Sequence, residues 1–329
     1  MKHLFLISHK VLLLPSLLVL SFLIKAQTPN EDLEHYVLDT YDNFNTFNSN
    51  LWNRVPYMTW GLETYNANNV TASGGVLTLK CEKIGNNYIS GGIETANKKT
   101  FSYGYFEIEI KTPASGNKGP WGGFWMHTGE GGWDEIDVFE PNGNDNYLGT
   151  QFHSGISATH NGIHRLSSET HPNHFTGYPD LSANFHKFAV IWTPKYVNVL
   201  FNGTSVYEIV EPEYIPSHPM VLFLTFQIDA WGGAPNSSTS FPLYWQFKNF
   251  KYYRLKTDCS HGITQTNFDF VSHANKYKVQ KFYSLTNSTV PNNKNIVLRA
   301  TDYIELKGEF TVPLGSTFTA ITHCYTCPD

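Results

Sequence analysis

The chain has 329 residues and a formal net charge of −5, and aromatic residues make up 15% of it. The length suits one large domain or two. The acidic balance argues against a nucleic-acid partner and mildly against a polyanionic substrate, while the aromatic content suits sugar stacking and a β core equally.

Residues 1–26 read as a secretory signal. Lys2 and Lys10 mark a basic start, Val11 to Ile24 is almost wholly apolar, and Ala26 precedes Gln27. The apolar run is too short to span a bilayer, and Gln27 in place of a cysteine argues against a lipid anchor. The expectation is an exported, soluble protein with no membrane insertion once the signal is removed. Strand-like runs then follow in order: Val76 to Leu79, Tyr105 to Ile110, Lys187 to Trp192, Tyr196 to Phe201 and Phe247 to Leu255. Ser73-Gly74-Gly75 and Asn202-Gly203 are turn signals between them. No stretch past the signal sustains a helical period, so the fold class is all-β, with many short strands in a two-sheet sandwich.

Between His153 and His186 strand signals are few, and the segment reads as a polar loop walling a cleft. It holds His160, His164, His171 and His174; the last two have the short spacing of a metal pair, but the loop reading is preferred and no metal is assigned. Near Thr257-Asp258-Cys259 the composition changes. Residues 259–329 are poorer in Trp and richer in Asn, Thr and Lys, with Gly308 and Gly315 interrupting short strands. The domain reading is a signal at 1–26, a sandwich at 27–257 and a small C-terminal β module at 258–329. Cys81 lies in phase with Leu77 and Leu79 and reads as a buried thiol. Cys259 pairs with Cys324 or Cys327, or all three stay reduced.

The most informative run is Glu135-Ile136-Asp137-Val138-Phe139-Glu140. Carboxylates crowded together raise one another's pKa, and such clusters serve metals or acid/base chemistry more often than surfaces. The apolar members favour a strand, on which Glu135 and Asp137 share a face. Glu140, five positions from Glu135, falls on the opposite face unless one β-bulge lies between Asp137 and Glu140. That bulge also sets Val138 and Phe139 side by side on the packed face. Four strand steps separate the glutamates by about 13 Å at Cα. Side chains leaning together bring their carboxyl groups to about 5 Å, the separation of a retaining glycosidase.

These residues resemble glycoside hydrolase family 16 over most of 35–255. Asn69-Val70 through Leu79 resembles its early hairpin, and Phe101 to Glu107 the next. Trp121-Gly122-Gly123-Phe124-Trp125-Met126 resembles the segment entering the catalytic strand, and Phe185 to Phe188 with Ile191 to Pro194 a later signature. Glu135 to Glu140 fits the family's bulged pattern. The resemblance implies a β-jelly-roll sandwich that hydrolyses a β-linked polysaccharide internally, with retention and no cofactor. It implies Glu135 as nucleophile, kept ionised by hydrogen-bond donors, Glu140 as general acid/base, and Asp137 between them tuning both. It places Trp121, Trp125 and His153 along the substrate cleft; Trp231 reads as a further sugar platform, and Trp192 and Trp245 as core.

Many members hold a structural calcium, whose ligands are not assignable here; Asn249 stands where an acidic residue is common. Glu109 replaces a basic residue, and Gln227 a common Asn, which bears on the substrate. The stretch 115–186 carries only Lys118 and Arg165 as cations, so a neutral β-1,3- or mixed β-1,3/1,4-glucan is favoured over agar, porphyran or carrageenan. A non-catalytic lectin is disfavoured because all three carboxylates are present, and transglycosylation stays open. A monomer is expected. The run from Leu298 to Lys307 with Gly315 to Ala320 resembles small β-stack modules on secreted proteins of Bacteroidetes-type bacteria, which implies a spacer, attachment or sugar-binding role.

Overall fold

The structure is a computed structural model that describes residues 36–55, 61–128, 134–141, 152–229, 233–255, 257–258, 261–270 and 279–322. The expected signal segment, Trp231, Cys259, Cys324 and Cys327 lie outside the described residues. Within them no helix is long and apolar enough to cross a membrane, and strands dominate. Two sheets of mostly antiparallel strands face each other. The ten-stranded sheet runs, edge to edge, through Thr204–Ile209, Val197–Phe201, His186–Trp192, Gly104–Lys111, Leu243–Leu255, Val76–Ile84, Asn87–Ser90 and Glu63–Tyr65, with Tyr36–Asp42 and Val70–Ser73 added beside Leu243–Leu255 and Val76–Ile84. The eight-stranded sheet runs through Ile163–Leu166, Phe152–His160, Glu135–Glu140, Pro120–His127, Val221–Ile228, Gly92–Glu94 and Asn53–Arg54, with His174–Phe175 beside Phe152–His160.

Period-two patterning builds the core. In Val76–Ile84, Leu77, Leu79 and Cys81 are fully buried while Val76, Thr78 and Lys80 between them are half-exposed. Phe106, Ile108 and Ile110 form the matching inward row of Gly104–Lys111, and cluster with Phe124, Met126, Ile136, Leu222 and Leu224 from the eight-stranded sheet. Trp192 and Trp245 are wholly buried, as expected. The expected turns form with left-handed backbone at Gly74 and Gly75 and at Asn202 and Gly203. One expectation is corrected. The first part of the 153–186 loop is a β-hairpin, Phe152–His160 with Ile163–Leu166, closed by Asn161 and Gly162 in left-handed backbone (φ 53° and 78°). The Asn-Gly pair signals that turn, but the polar residues around it hide the strands.

The C-terminal strands form a third sheet in which every described pair is parallel, ordered Thr257–Asp258, Val279–Thr286, Asn295–Lys307 and Thr317–Thr322, with Ile263–Thr266 also on Val279–Thr286. Ile263 lies beside Tyr283, and Tyr283 beside Ile304, so equivalent positions recur at each rung. Asn267, Asn287 and Gly308 share a left-handed corner (φ 52°, 50° and 64°). The amide of Asn267 donates to Thr286 O and that of Asn287 to Lys307 O. This is a short parallel solenoid, in which each coil covers the last. Val279 packs with Tyr36, Tyr105, Ala189 and Leu255, which ties its first rung to the outer face of the ten-stranded sheet.

Candidate active site

The acidic run forms the strand Glu135–Glu140, and the bulge is there. Against Phe152–His160, Asp137 lies opposite Gly155 and Glu140 opposite His153, three steps against two. Against Pro120–His127, Asp137 pairs with Trp125 and Phe139 with Phe124. Glu135, Asp137 and Glu140 are each half-buried on one face, while Ile136, Val138 and Phe139 are fully buried on the other. Phe139 holds the bulge in place: its ring lies 4.1 Å from Phe188 and 5.6 Å from Trp245, both on the facing sheet. Gly123 makes room for the bulge. Its φ is +141°, and a Cβ there would stand 2.1 Å from the carbonyl oxygen of Phe139.

Cross-strand partners share a face, so the register names the neighbours of each carboxyl group. Glu135 lies between His127 and Ser157, Asp137 between Trp125 and Gly155, and Glu140 beside His153. A Cβ on Gly155 would sit 2.9 Å from Asp137 Oδ2, so the glycine leaves the space that carboxyl group fills. The indole N–H of Trp121 donates to Glu140 Oε1 at 3.0 Å. Trp125 donates to Thr225 Oγ1 at 2.8 Å and stacks on Phe223 at 4.3 Å; only 7% of it is exposed. The rings of His153 and His174 stack at 4.6 Å, nearly parallel.

The three carboxyl groups titrate high. Burial pushes Asp137 well above its ordinary value, and the charges of Glu135 and Glu140 add to this. Burial raises Glu140 to about 8, helped by Glu135 and opposed by the Trp121 hydrogen bond. Burial raises Glu135 to about 7. Among the described residues the dominant influence on Glu135 is loss of water.

The model of glycosyl hydrolases family 16 matches residues 58–246. The chain belongs to that family. It is similar to the endo-1,3-1,4-beta-glycanase EglC of Rhizobium meliloti, at 26% identity over 233 residues that cover 70% of this chain and 45% of that protein. A beta-glucanase of Acetivibrio thermocellus is 28% identical over 237 residues, covering 68% and 63%. The chain thus spans about half to two thirds of the length of these relatives. Among solved structures, the Bacillus licheniformis beta-glucanase superposes with a TM-score of 0.54 at 25% identity, covering 65% of this chain and 96% of that one. The laminarinase catalytic domain of Thermotoga maritima shares the fold, with a TM-score of 0.55 at 23% identity and 67% and 98% coverage.

Within this family 16 frame, Trp121, Trp125 and His153 all lie on the acidic face, as expected from their strands. Glu109 does not: it belongs to the ten-stranded sheet and accepts from Asn249 Nδ2 at 2.9 Å, so it has no bearing on the site. Gln227 lies opposite Trp121 and accepts from Thr225 Oγ1 at 3.0 Å. His171 and His174 part company, since His171 turns to Glu211 and His174 to His153. Among the described residues no three His, Cys, Asp or Glu side chains converge as metal ligands.

Three residues escaped the sequence reading. Asp134 is fully buried; its Oδ1 accepts from the amide of Thr159, and its Oδ2 from the amides of Ser217 and His218 and from the His218 ring. It anchors the start of the acidic strand to two other segments. His127 flanks Glu135, and burial lowers its pKa. Glu94, buried, lies opposite Phe223 on the same face, and burial raises its pKa. Only the register reveals either.

Proposed function

We propose that this protein is an endo-acting retaining glycoside hydrolase of β-1,3- or mixed β-1,3/1,4-glucan. The observation that carries this reading is the bulge, which gathers Glu135, Asp137 and Glu140 on one half-buried face. In this reading Glu135 attacks the anomeric carbon while Glu140 protonates the leaving oxygen. A water then attacks the glycosyl-enzyme as Glu140 takes its proton. Glu140 is suited to the acid role because it holds its proton at neutral pH. Asp137, whose pKa burial raises well above its ordinary value, lies between Glu135 and Glu140.

Trp121 and His153 border the cleft beside Glu140, and Trp125 borders it beside Asp137. A neutral substrate is supported by the surroundings: among the described residues no lysine or arginine influences the three carboxyl groups. The name of the Acetivibrio relative supports a glucan over a sulfated galactan, and that of the Rhizobium relative supports β-1,3-1,4 linkages. The protein is proposed to act as an exported monomer without a cofactor, its 258–329 module serving as a spacer, an attachment or a sugar-binding unit. The test is digestion of laminarin, lichenan, agarose, porphyran and carrageenan, with product sizing and proton NMR of the first anomer released. Internal cuts in the glucans that give the β anomer are expected; activity on a sulfated galactan alone would overturn the substrate, and an initial α anomer the mechanism.

A further inference from the structure

Trp121 makes a contact that a sugar platform does not need. Its indole N–H points at Oε1 of Glu140, 3.0 Å away, and the ring is only half-buried. The next two residues hold it there. Gly122 has φ +96°, and a Cβ on it would lie 1.8 Å from Gln227 Oε1; Gly123 admits the carbonyl of the bulge. With side chains at either position the strand would be pushed off both neighbours, and the indole would leave Glu140.

An indole N–H donates and never accepts. A carboxyl oxygen that accepts it cannot also present an O–H along the same line, because two hydrogens would meet. We propose that Trp121 is a positioning residue for the acid/base: it commits Oε1 of Glu140 to accepting, so that the transferable proton resides on Oε2. This rests on the reading of Glu140 as the acid/base. In the first step the Oε2 proton passes to the glycosidic oxygen as the C1–O bond breaks and Glu135 bonds to C1. In the second, water bonds to C1, its proton goes to Oε2, and the Glu135–C1 bond breaks. Oε1 keeps the same partner throughout, so the group need not turn between its two roles.

Among the described residues the other groups facing Glu140 are Glu135 and Asp137 on its own strand, and His153 across the sheet with His174 stacked on it. Burial and the charge of Glu135 favour the protonated form of Glu140, and the indole favours the ionised form. Trp121→Phe keeps an aromatic ring and removes the donor. The alkaline limb of kcat/KM should then move up by about one pH unit, the worth of one hydrogen bond to a charged group. kcat should fall about tenfold as the proton loses its fixed oxygen. A second measurement follows the carboxyl group directly, by 13C NMR titration of side-chain-labelled glutamate in the parent and the variant. The Glu140 midpoint should rise with the kinetic limb. An unmoved limb and midpoint, with only KM raised, would make Trp121 a sugar platform and overturn the proposal. Glu140→Gln separates the underlying reading: full activity of that variant on a substrate with a poor leaving group removes Glu140 from catalysis, whatever Trp121→Phe does to its midpoint.

Discussion

Glu107 and Glu140 are the same residue type on strands of the two facing sheets, and they titrate in opposite directions. Glu107, 5% exposed on the ten-stranded sheet, is ringed by donors: Lys251 Nζ at 2.8 Å, Lys187 Nζ at 3.0 Å and the Tyr105 hydroxyl at 2.9 Å. Burial pushes its pKa up, but those contacts outweigh it and leave the carboxyl below its ordinary value. Among the described residues Glu140 has one neutral donor, Trp121, and the charge of Glu135 adds to burial, so burial prevails. The difference separates a carboxylate that ties neighbouring strands of one sheet together from one proposed to exchange a proton: the first has been given counter-charges, the second has none among the described residues. Asp134 belongs with the first kind although it adjoins Glu135, since burial raises it and backbone amides and His218 bring it down.

The largest effect should come from the two glutamates of the acidic face. Glu135→Ala and Glu140→Ala should each lower the rate on a natural glucan about 10³-fold or more. Azide added to Glu135→Ala should give the α-glycosyl azide. Added to Glu140→Ala with an activated aryl glycoside, it should give the β-glycosyl azide, because the covalent intermediate still forms. The same azide anomer from both variants would break the assignment of roles. Glu107→Gln should do the reverse: destabilise the fold by about 3 kcal/mol by stranding two lysines, while folded molecules turn over at the parent rate. Urea unfolding and active-site-normalised rates check this, and a folded but inactive variant would erase the contrast.

How much of this could be read from the chain turns on which interactions are local. The bulge was legible because Glu135, Asp137 and Glu140 obey a two-residue period that fails once, and the apolar pair Val138-Phe139 marks where. The strands around Leu77, Ile108 and Val190 were legible from alternation alone. The hairpin after His153 was not, because all of Ile163–Leu166 is exposed and carries no buried stripe. The solenoid was hidden too. Its rungs recur through asparagines at left-handed corners and through parallel pairing of residues about 20 apart, and neither leaves a hydrophobic period. Partner choice across the sheet was the least legible: nothing near Glu107 in the sequence announces Lys187 or Lys251, and nothing near Asp134 announces Ser217.

Asp134→Asn sharpens the comparison at closer range. The amide can accept at one position, but its N–H₂ would face the backbone donors of Ser217 and His218 or of Thr159. A stability loss of about 2 kcal/mol is expected, together with a lower kcat, because the loosened strand start carries Glu135. Chemical denaturation and steady-state kinetics on the same preparation measure both. Loss of stability with kcat untouched would confine Asp134 to the scaffold.

The smallest effect is the most discriminating, because its sign changes between the two sheets. Glu140 has a folded pKa of about 8 against an ordinary 4.5, so between those values the folded chain binds more protons than the unfolded one. The stability tied to this group is fully present below its unfolded pKa and is lost as pH rises through about 8. Glu140→Gln no longer titrates. It should therefore be more stable than the parent near pH 9, by on the order of 1 kcal/mol once solvent screening and the sharing of protons with Glu135 and Asp137 are allowed for. That gain should disappear below the unfolded pKa. For Glu107 the folded pKa is depressed, so its contribution is present above the unfolded pKa and is lost on acidification through the folded one. Glu107→Gln should accordingly be less stable than the parent near neutral pH, and the gap should close in acid. Thermal melts of the two variants across pH put the same chemical change on both sheets. Curves that depart from the parent in the same direction at alkaline pH would mean that the acidic face is no less compensated than Glu107, and that its carboxyl groups are not held ready for proton transfer.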